Sequence, residues 1–170
     1  SFPLYFAEYR AGSIFVADGH SGQGMTSEEE IAEGREEGLT GRIIKFSPDG
    51  EYLMEWGRIG TEHGEFRTPH ALEFDNEGRL WVADRGNHRL EIFDQDGNYL
   101  DSRYLYGRIS DLFITDDDMI YAIDSESSQM RHIHWSNGVR IGPVERDWLT
   151  GFIPPWESDS RPLHGVAGEG

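Results

Sequence analysis

Four side chains have the types and positions that suit metal-assisted proton chemistry: His20, His70, Arg85 and His164. His70 follows Pro69, and His164 lies in the similar run Pro162-Leu163-His164. Three imidazoles with an open fourth position describe a catalytic zinc site. Two histidines do not complete that set, so a third would have to come from outside this chain. His20 follows VADG (16–19), and Arg85 follows VAD (82–84). Histidine titrates near neutral pH, so His20 can accept a proton or join a metal. Arg85 carries a permanent charge on a planar fork that binds oxyanions bidentately. Each residue also has a plainer reading. The histidines can be hydrogen-bonded in loops that lead into strands, and the arginine can be paired with one of many nearby acids.

Whether these groups meet depends on the elements that carry them. One unit is written three times, most legibly at 68–100, with a period of roughly 40–50 residues. The strand ends IFVAD (14–18), LWVAD (80–84) and IYAID (120–124) align, as do FSPDG (46–50) and FDQDG (93–97). Each unit reads as four short strands with period-two alternation. In the second unit these are ALEFD (71–75), RLWVAD (79–84), RLEIFD (89–94) and YLDSRYL (99–105), with hairpin chemistry at NEG (76–78) and QDG (95–97). The first unit supplies LYFAEYR, SIFVAD, RIIKFS and YLMEWG. The third supplies DLFIT, MIYAID, a less regular stretch around 132–142, and WLTGFIP.

Four antiparallel strands of this length make a β-propeller blade. The fold class is therefore all-β: a partial propeller domain spanning 1–170, with blades at about 3–57, 68–105 and 109–154 and the start of a fourth at 162–170. Three blades and one strand cannot close a ring, so further blades or another copy would be needed. Innermost strands line the channel of a propeller. His70 opens such a strand, and its counterparts are Leu4, Ser110 and His164. Histidines thus fall in alternate blades, which in a six-bladed ring stand roughly 120° apart about the axis, as a trigonal site requires.

Residues 19–41 are an acidic insertion. Thr26 or Ser27, with Glu29 or Glu30 three residues on, forms a capping-box pattern, and Ile31 is the one apolar anchor of a short solvated helix. Asp18, Asp84 and Asp124 recur as turn residues that bond backbone N–H groups. Trp56, Trp81, Phe93 and Tyr121 are expected in the inter-blade core. His132 and His134 alternate on one face of an expected strand; such a pair can bind metal and is common by chance. Asp116–Asp118 read as a tight turn.

Composition narrows the partners. The net charge is −17 over 170 residues, with Lys45 as the single lysine. Such a field repels phosphate backbones and argues against nucleic acid. It fits solubility or high salt, or else attraction of cations or basic peptides. There is no cysteine, hence no disulfide or thiolate site. No apolar run of about 18 residues suggests a membrane span. The chain begins at Ser1, so a mature, trimmed or partial product is expected.

Asn87-His88-Arg89-Leu90 resembles the NHL repeat. The runs FVADGHSG (15–22), GRIIKFSPDGEYLMEWG (41–57), GEFRTPHALEFD (64–75) and LWVADRGNHRLEIF (80–93) resemble the peptidyl-α-hydroxyglycine α-amidating lyase family. The resemblance covers about 13–100, fades over 101–160 and returns at 162–167. It implies a six-bladed propeller that cleaves peptidyl-α-hydroxyglycine to a peptide amide and glyoxylate, with zinc in its channel. It places His70 and His164 on zinc-ligand positions. It places Arg85 on a catalytic arginine that holds the substrate carboxylate or stabilises an oxyanion. His20 stands where the family has a tyrosine base. A second family arginine falls in a blade absent from this chain. Gly165 replaces a calcium-ligating Asp, which counts against calcium. The family context implies an extracellular or periplasmic location and a small peptide-like substrate. Two alternatives stand beside the lyase: a non-catalytic NHL propeller binding proteins or peptides through a face or the acidic loop, and a metal-dependent hydrolase-like propeller.

Overall fold

The computed structural model describes residues 5–8 and 12–155. His164, the expected strand at 162–170 and Leu4 lie outside them. Three four-stranded antiparallel sheets follow one another along the chain. The first holds β1 (Tyr5–Glu8), β2 (Ile14–Asp18), β3 (Arg42–Phe46) and β4 (Tyr52–Trp56). The second holds β5 (Pro69–Phe74), β6 (Leu80–Asp84), β7 (Arg89–Phe93) and β8 (Tyr99–Arg103). The third holds β9 (Ile109–Ile114), β10 (Met119–Asp124), β11 (Gly138–Pro143) and β12 (Gly151–Ile153). Each sheet pairs its strands in sequence order, the arrangement of a propeller blade. The inner strand β5 packs against both β1 and β9, so blade entrances gather at one place.

The tight turns follow from Asx chemistry. Asp75 Oδ1 accepts from the N–H groups of Glu77 and Arg79 at 3.0 and 2.9 Å, and Gly78 takes the positive φ (76°) that closes the hairpin. The period-two pattern of β6 then separates two cores. Leu80 and Val82 face Phe15, Ala17, Ile43, Phe66 and Phe93 toward the first sheet. Trp81 and Ala83 face Ile109, Leu112, Ile120 and Ala122 toward the third. A strand covered on both faces is buried throughout, as β6 is. Trp81 is fully buried, and its indole N–H donates to Asp75 Oδ2 at 2.8 Å. Truncating it to alanine would cost about 3–5 kcal/mol.

The insertion folds as a short 3-10 helix, Ser21–Gly24, and α1 (Glu28–Glu36). Ser27 caps α1, and Glu30 completes a capping box. Ile31 is its buried apolar side chain, as the pattern implies. Arg35 ties the helix down, donating to the Ile59 carbonyl at 2.7 Å and to Glu65 at 3.0 Å. No helix among the described residues is long and apolar enough to cross a membrane.

One expectation fails in the third sheet. His132 and His134 lie in turns, because β11 begins only at Gly138. His134 adopts a positive φ of 73°, and His132 stacks on Trp135 and on His88, with ring centroids 4.6 and 4.2 Å apart. Aromatic stacking outweighs strand propensity here, and the two imidazoles share no strand face.

Candidate functional site

A backbone irregularity repeats at the entrance of two blades. Pro69 pairs with Asp84 and Ala71 with Ala83, which leaves His70 as an extra residue in β5. Ile109 pairs with Asp124 and Asp111 with Ile123, which leaves Ser110 extra in β9. A bulge of this kind re-aims its side chain. The aspartate opposite each bulge is locked. Asp84 accepts from the N–H groups of Arg67 and Thr68 (3.1 and 3.2 Å), from Asn87 (2.6 Å) and from Arg89 Nε (3.2 Å). Asp124 accepts from the N–H groups of Glu126 and Ser127 (3.2 and 2.8 Å) and from Arg140 Nη1 (2.7 Å). In the first blade Asp18 takes Arg42 Nε at 2.8 Å and the Thr40 hydroxyl.

These locks bring three of the four expected site residues together. His70, 7% exposed, comes from the β5 bulge. His20 comes from the loop after β2, and its ring centroid lies 5.7 Å from that of His70. Arg85, 3% exposed, comes from the turn after β6. Its Nη2 donates to His20 Nε2 at 2.7 Å and to Gln23 Oε1 at 2.8 Å, and its Nη1 reaches Ser110 Oγ at 3.3 Å. Glu126 stands 3.9 Å from the Arg85 guanidinium, and Gln23 donates to it at 3.0 Å.

The hydrogen bonds fix the tautomers. The Ser110 carbonyl, an acceptor only, takes a bond from His70 Nδ1 at 2.6 Å. His70 therefore carries its proton on Nδ1 and its lone pair on Nε2. Burial, then the Arg85 charge, pushes the His70 pKa down to about 3. Burial and Arg85 lower His20 as well. Both rings are neutral at ordinary pH. Burial opposes ionisation of Glu126, but the Arg108 hydrogen bond and the charges of Arg85, Arg108 and Arg131 outweigh it and hold its carboxyl at about 2.

His70 fits a zinc ligand. It is neutral, and a carbonyl anchors its second nitrogen, the outer bond typical of metal-bound histidine. His20 does not fit that role in this arrangement, since its Nε2 lone pair accepts from Arg85. Among the described residues, no group of three His, Cys, Asp or Glu side chains could hold a metal ion. The described part thus supplies one imidazole prepared for a cation; His164 lies outside it.

Gln23, Arg108 and Glu126 are members of the cluster that sequence reasoning passed over. Glu126 was accessible by overlay, standing two residues after Asp124 as His20 stands two after Asp18. Gln23 sits in the insertion, where no sister unit offers a counterpart. The Arg42, Arg89 and Arg140 partners of the repeated aspartates were likewise visible only as surplus charges.

Comparison with known proteins agrees with this architecture. Residues 66–93 match the family model of the NHL repeat. The chain is 44% identical over 85 residues to NHL repeat-containing protein 3 of Homo sapiens, covering 50% of this chain and 20% of that protein. It is 28% identical over 174 residues to peptidyl-glycine alpha-amidating monooxygenase B of Xenopus laevis, covering 93% of this chain and 17% of that protein. The chain thus spans a fifth or less of the length of these relatives. The crystal structure of the RRP9 WD40 repeats matches with a TM-score of 0.59 at 16% identity, over 92% of this chain and 41% of that one, a likeness of fold alone. The chain is an all-β propeller segment, with three four-stranded sheets among its described residues, that carries an NHL repeat at residues 66–93.

Proposed function

We propose that this chain belongs to a zinc-dependent lyase resembling the amidating lyases, which cleaves the C–N bond of a peptidyl-α-hydroxyglycine to give a peptide amide and glyoxylate. The observation that carries this reading is the convergence of His20, His70 and Arg85 from three separate segments. His70 would hold the zinc, with His164 and a ligand from outside the chain. Zinc, when bound, supplies Lewis acidity toward the hydroxyl or carbonyl of the α-hydroxyglycine unit.

The protein groups do the rest. Arg85 turns from His20 to the substrate carboxylate, which it can grip bidentately. That motion releases His20 Nε2 to take the hydroxyl proton. The hydroxyl oxygen becomes the aldehyde oxygen of glyoxylate as the C–N bond breaks, and the proton passes to the departing amide nitrogen. Burial of His70 and Arg85, with His20 half-buried beside them, limits competing water.

The test is direct. Purified protein should contain about one zinc per closed ring and release glyoxylate from an α-hydroxyglycine peptide. The His70→Ala variant should lose both. Unchanged metal content in that variant would sink the site.

A second reading has its own support. Identity is higher to NHL repeat-containing protein 3 than to the amidating monooxygenase, and His20 replaces the tyrosine of the resembled family. A non-catalytic propeller that binds peptides predicts peptide binding without any glyoxylate.

A further inference from the structure

Beside the histidine–arginine cluster lies a cavity of about 580 Å³, lined by Gln23, Arg67, His88, Arg108, Met130 and Arg131 among others. Its charge runs against that of the chain. Three guanidiniums converge there in a sequence with 32 acidic and 15 basic residues. One carboxylate, Glu126, answers two of them, taking bonds from Arg108 and Arg131 at 2.9 Å each. Arg108 also donates to His88 Nε2 at 2.9 Å, so that imidazole nitrogen is an acceptor and brings no negative charge. The Arg67 guanidinium forms no ion pair among the described residues, and its Nε is buried without a hydrogen-bond partner. Arg108 Nε is buried in the same state on a residue only 4% exposed.

A cavity with excess guanidinium charge attracts an oxyanion, because charge-assisted bonds strengthen away from bulk water. Its volume lies within the range of roughly 300–1,000 Å³ typical of organic ligands, so it has room for an anion joined to a larger body. Met130, 93% exposed on the rim, offers a flexible apolar contact of the kind found at adaptable binding surfaces. The cavity adjoins the reactive cluster through Gln23, which bonds both Arg85 and Glu126, and through Gly86, which follows Arg85.

We infer that this cavity is a subsite for an acidic side chain of the peptide whose carboxyl-terminal glycine unit sits at His20, His70 and Arg85. The inference rests on the lyase reading for the position of that end. The subsite makes the preferred substrates peptides with Glu or Asp close to the terminus.

Calorimetric titration of the purified protein with glycine-ended peptides tests it. One peptide carries Glu at the two positions before the glycine, and its partner carries Gln there. The Glu peptide should bind about tenfold tighter at low salt. Arg67→Gln and Arg131→Gln should each remove most of that preference. Neither substitution should change affinity for the Gln peptide. Equal affinities in the unsubstituted protein overturn the subsite. Arg67-dependent binding of inorganic phosphate without peptide discrimination also overturns it, and assigns the cavity to a free anion. Glyoxylate release measured in parallel separates the two readings. Glyoxylate without Glu preference removes the subsite alone; Glu preference without glyoxylate removes the lyase alone.

Discussion

The entrances of the second and third blades share one backbone device and differ in the side chain that it presents. Both inner strands carry a one-residue bulge opposite a buried aspartate. The bulged residue is His70 in one and Ser110 in the other, and the two touch, His70 Nδ1 donating to the Ser110 carbonyl at 2.6 Å. The repeat supplies the backbone device, and chemistry enters by substituting at the bulged position. Ser110 is then more than a position without a ligand. Its backbone fixes the tautomer of the imidazole in the next blade, and its hydroxyl meets Arg85 and Ser125.

The largest expected effect comes from breaking the device itself. Asp84 is fully buried and holds Arg89, whose side chain is 5% exposed. Asp84→Ala takes one of two carboxylates from that guanidinium, Glu91 remaining at 3.3 Å, and leaves the Arg67 and Thr68 N–H groups without their acceptor, so it should cost about 3–5 kcal/mol. Asp18 pairs with Arg42, whose side chain is 34% exposed, so Asp18→Ala should cost about 1 kcal/mol or less. Urea unfolding at pH 8 makes the comparison, well above the value of about 6 to which burial pushes Asp84. Equal losses would mean that the bulge is held by packing and that the aspartate only accompanies it.

A smaller effect tests His70 against Ser110 by pH. The His70 pKa falls from 6.5 in the unfolded chain to about 3 in the folded one. Between those values the unfolded chain binds more protons, so stability is full above pH 6.5 and declines as pH falls toward 3. Asp84 works the other way. Its folded pKa of about 6 exceeds 3.8, so it gains stability as pH falls through that window. His88, pushed down to about 4 by burial and the neighbouring His132, declines with His70. Subtracting a His70→Ser variant isolates one group. In chelator-treated protein the difference should slope by up to about 1.4 kcal/mol per pH unit between 6.5 and 4. A flat difference would place the His70 imidazole in water rather than in the closed entrance.

Much of this fold was legible because its signals are local. Period-two alternation and the aspartate at each second strand end recur in every unit, Asp-Gly turns recur in the first two, and together they specify four-stranded sheets. Overlaying the units also brought His20, His70 and Arg85 to neighbouring positions. The His20–Arg85 hydrogen bond was not legible, since it joins an insertion loop to another blade across 65 residues of chain. The bulges were hidden for a different reason. An extra residue in a strand leaves alternation intact on either side, and pairing alone reveals it. The turn at His132 and His134 was misread as strand because its stacking partners, Trp135 and His88, include a residue from another blade.

The smallest predicted effect sharpens the comparison most. Ser110 serves the site twice, by carbonyl to His70 and by hydroxyl to Arg85 and Ser125. Ser110→Ala removes only the second role, at about 1 kcal/mol for the lost hydroxyl bonds. The carbonyl stays, so His70 should keep its Nδ1 proton. The ring nitrogen shifts in NMR spectra of histidine-labelled protein read this directly. They should match the parent at pH 7, while unfolding shows the modest loss. A shift toward the Nε2-protonated form would show that the hydroxyl network sets the imidazole. The bulge would then matter for where it puts the serine side chain as much as for where it puts the backbone. With the tautomer kept, a propeller unit with no ligand of its own still prepares the ligand of its neighbour through main chain alone. Such an arrangement leaves residue 110 free to vary while His70 holds its role.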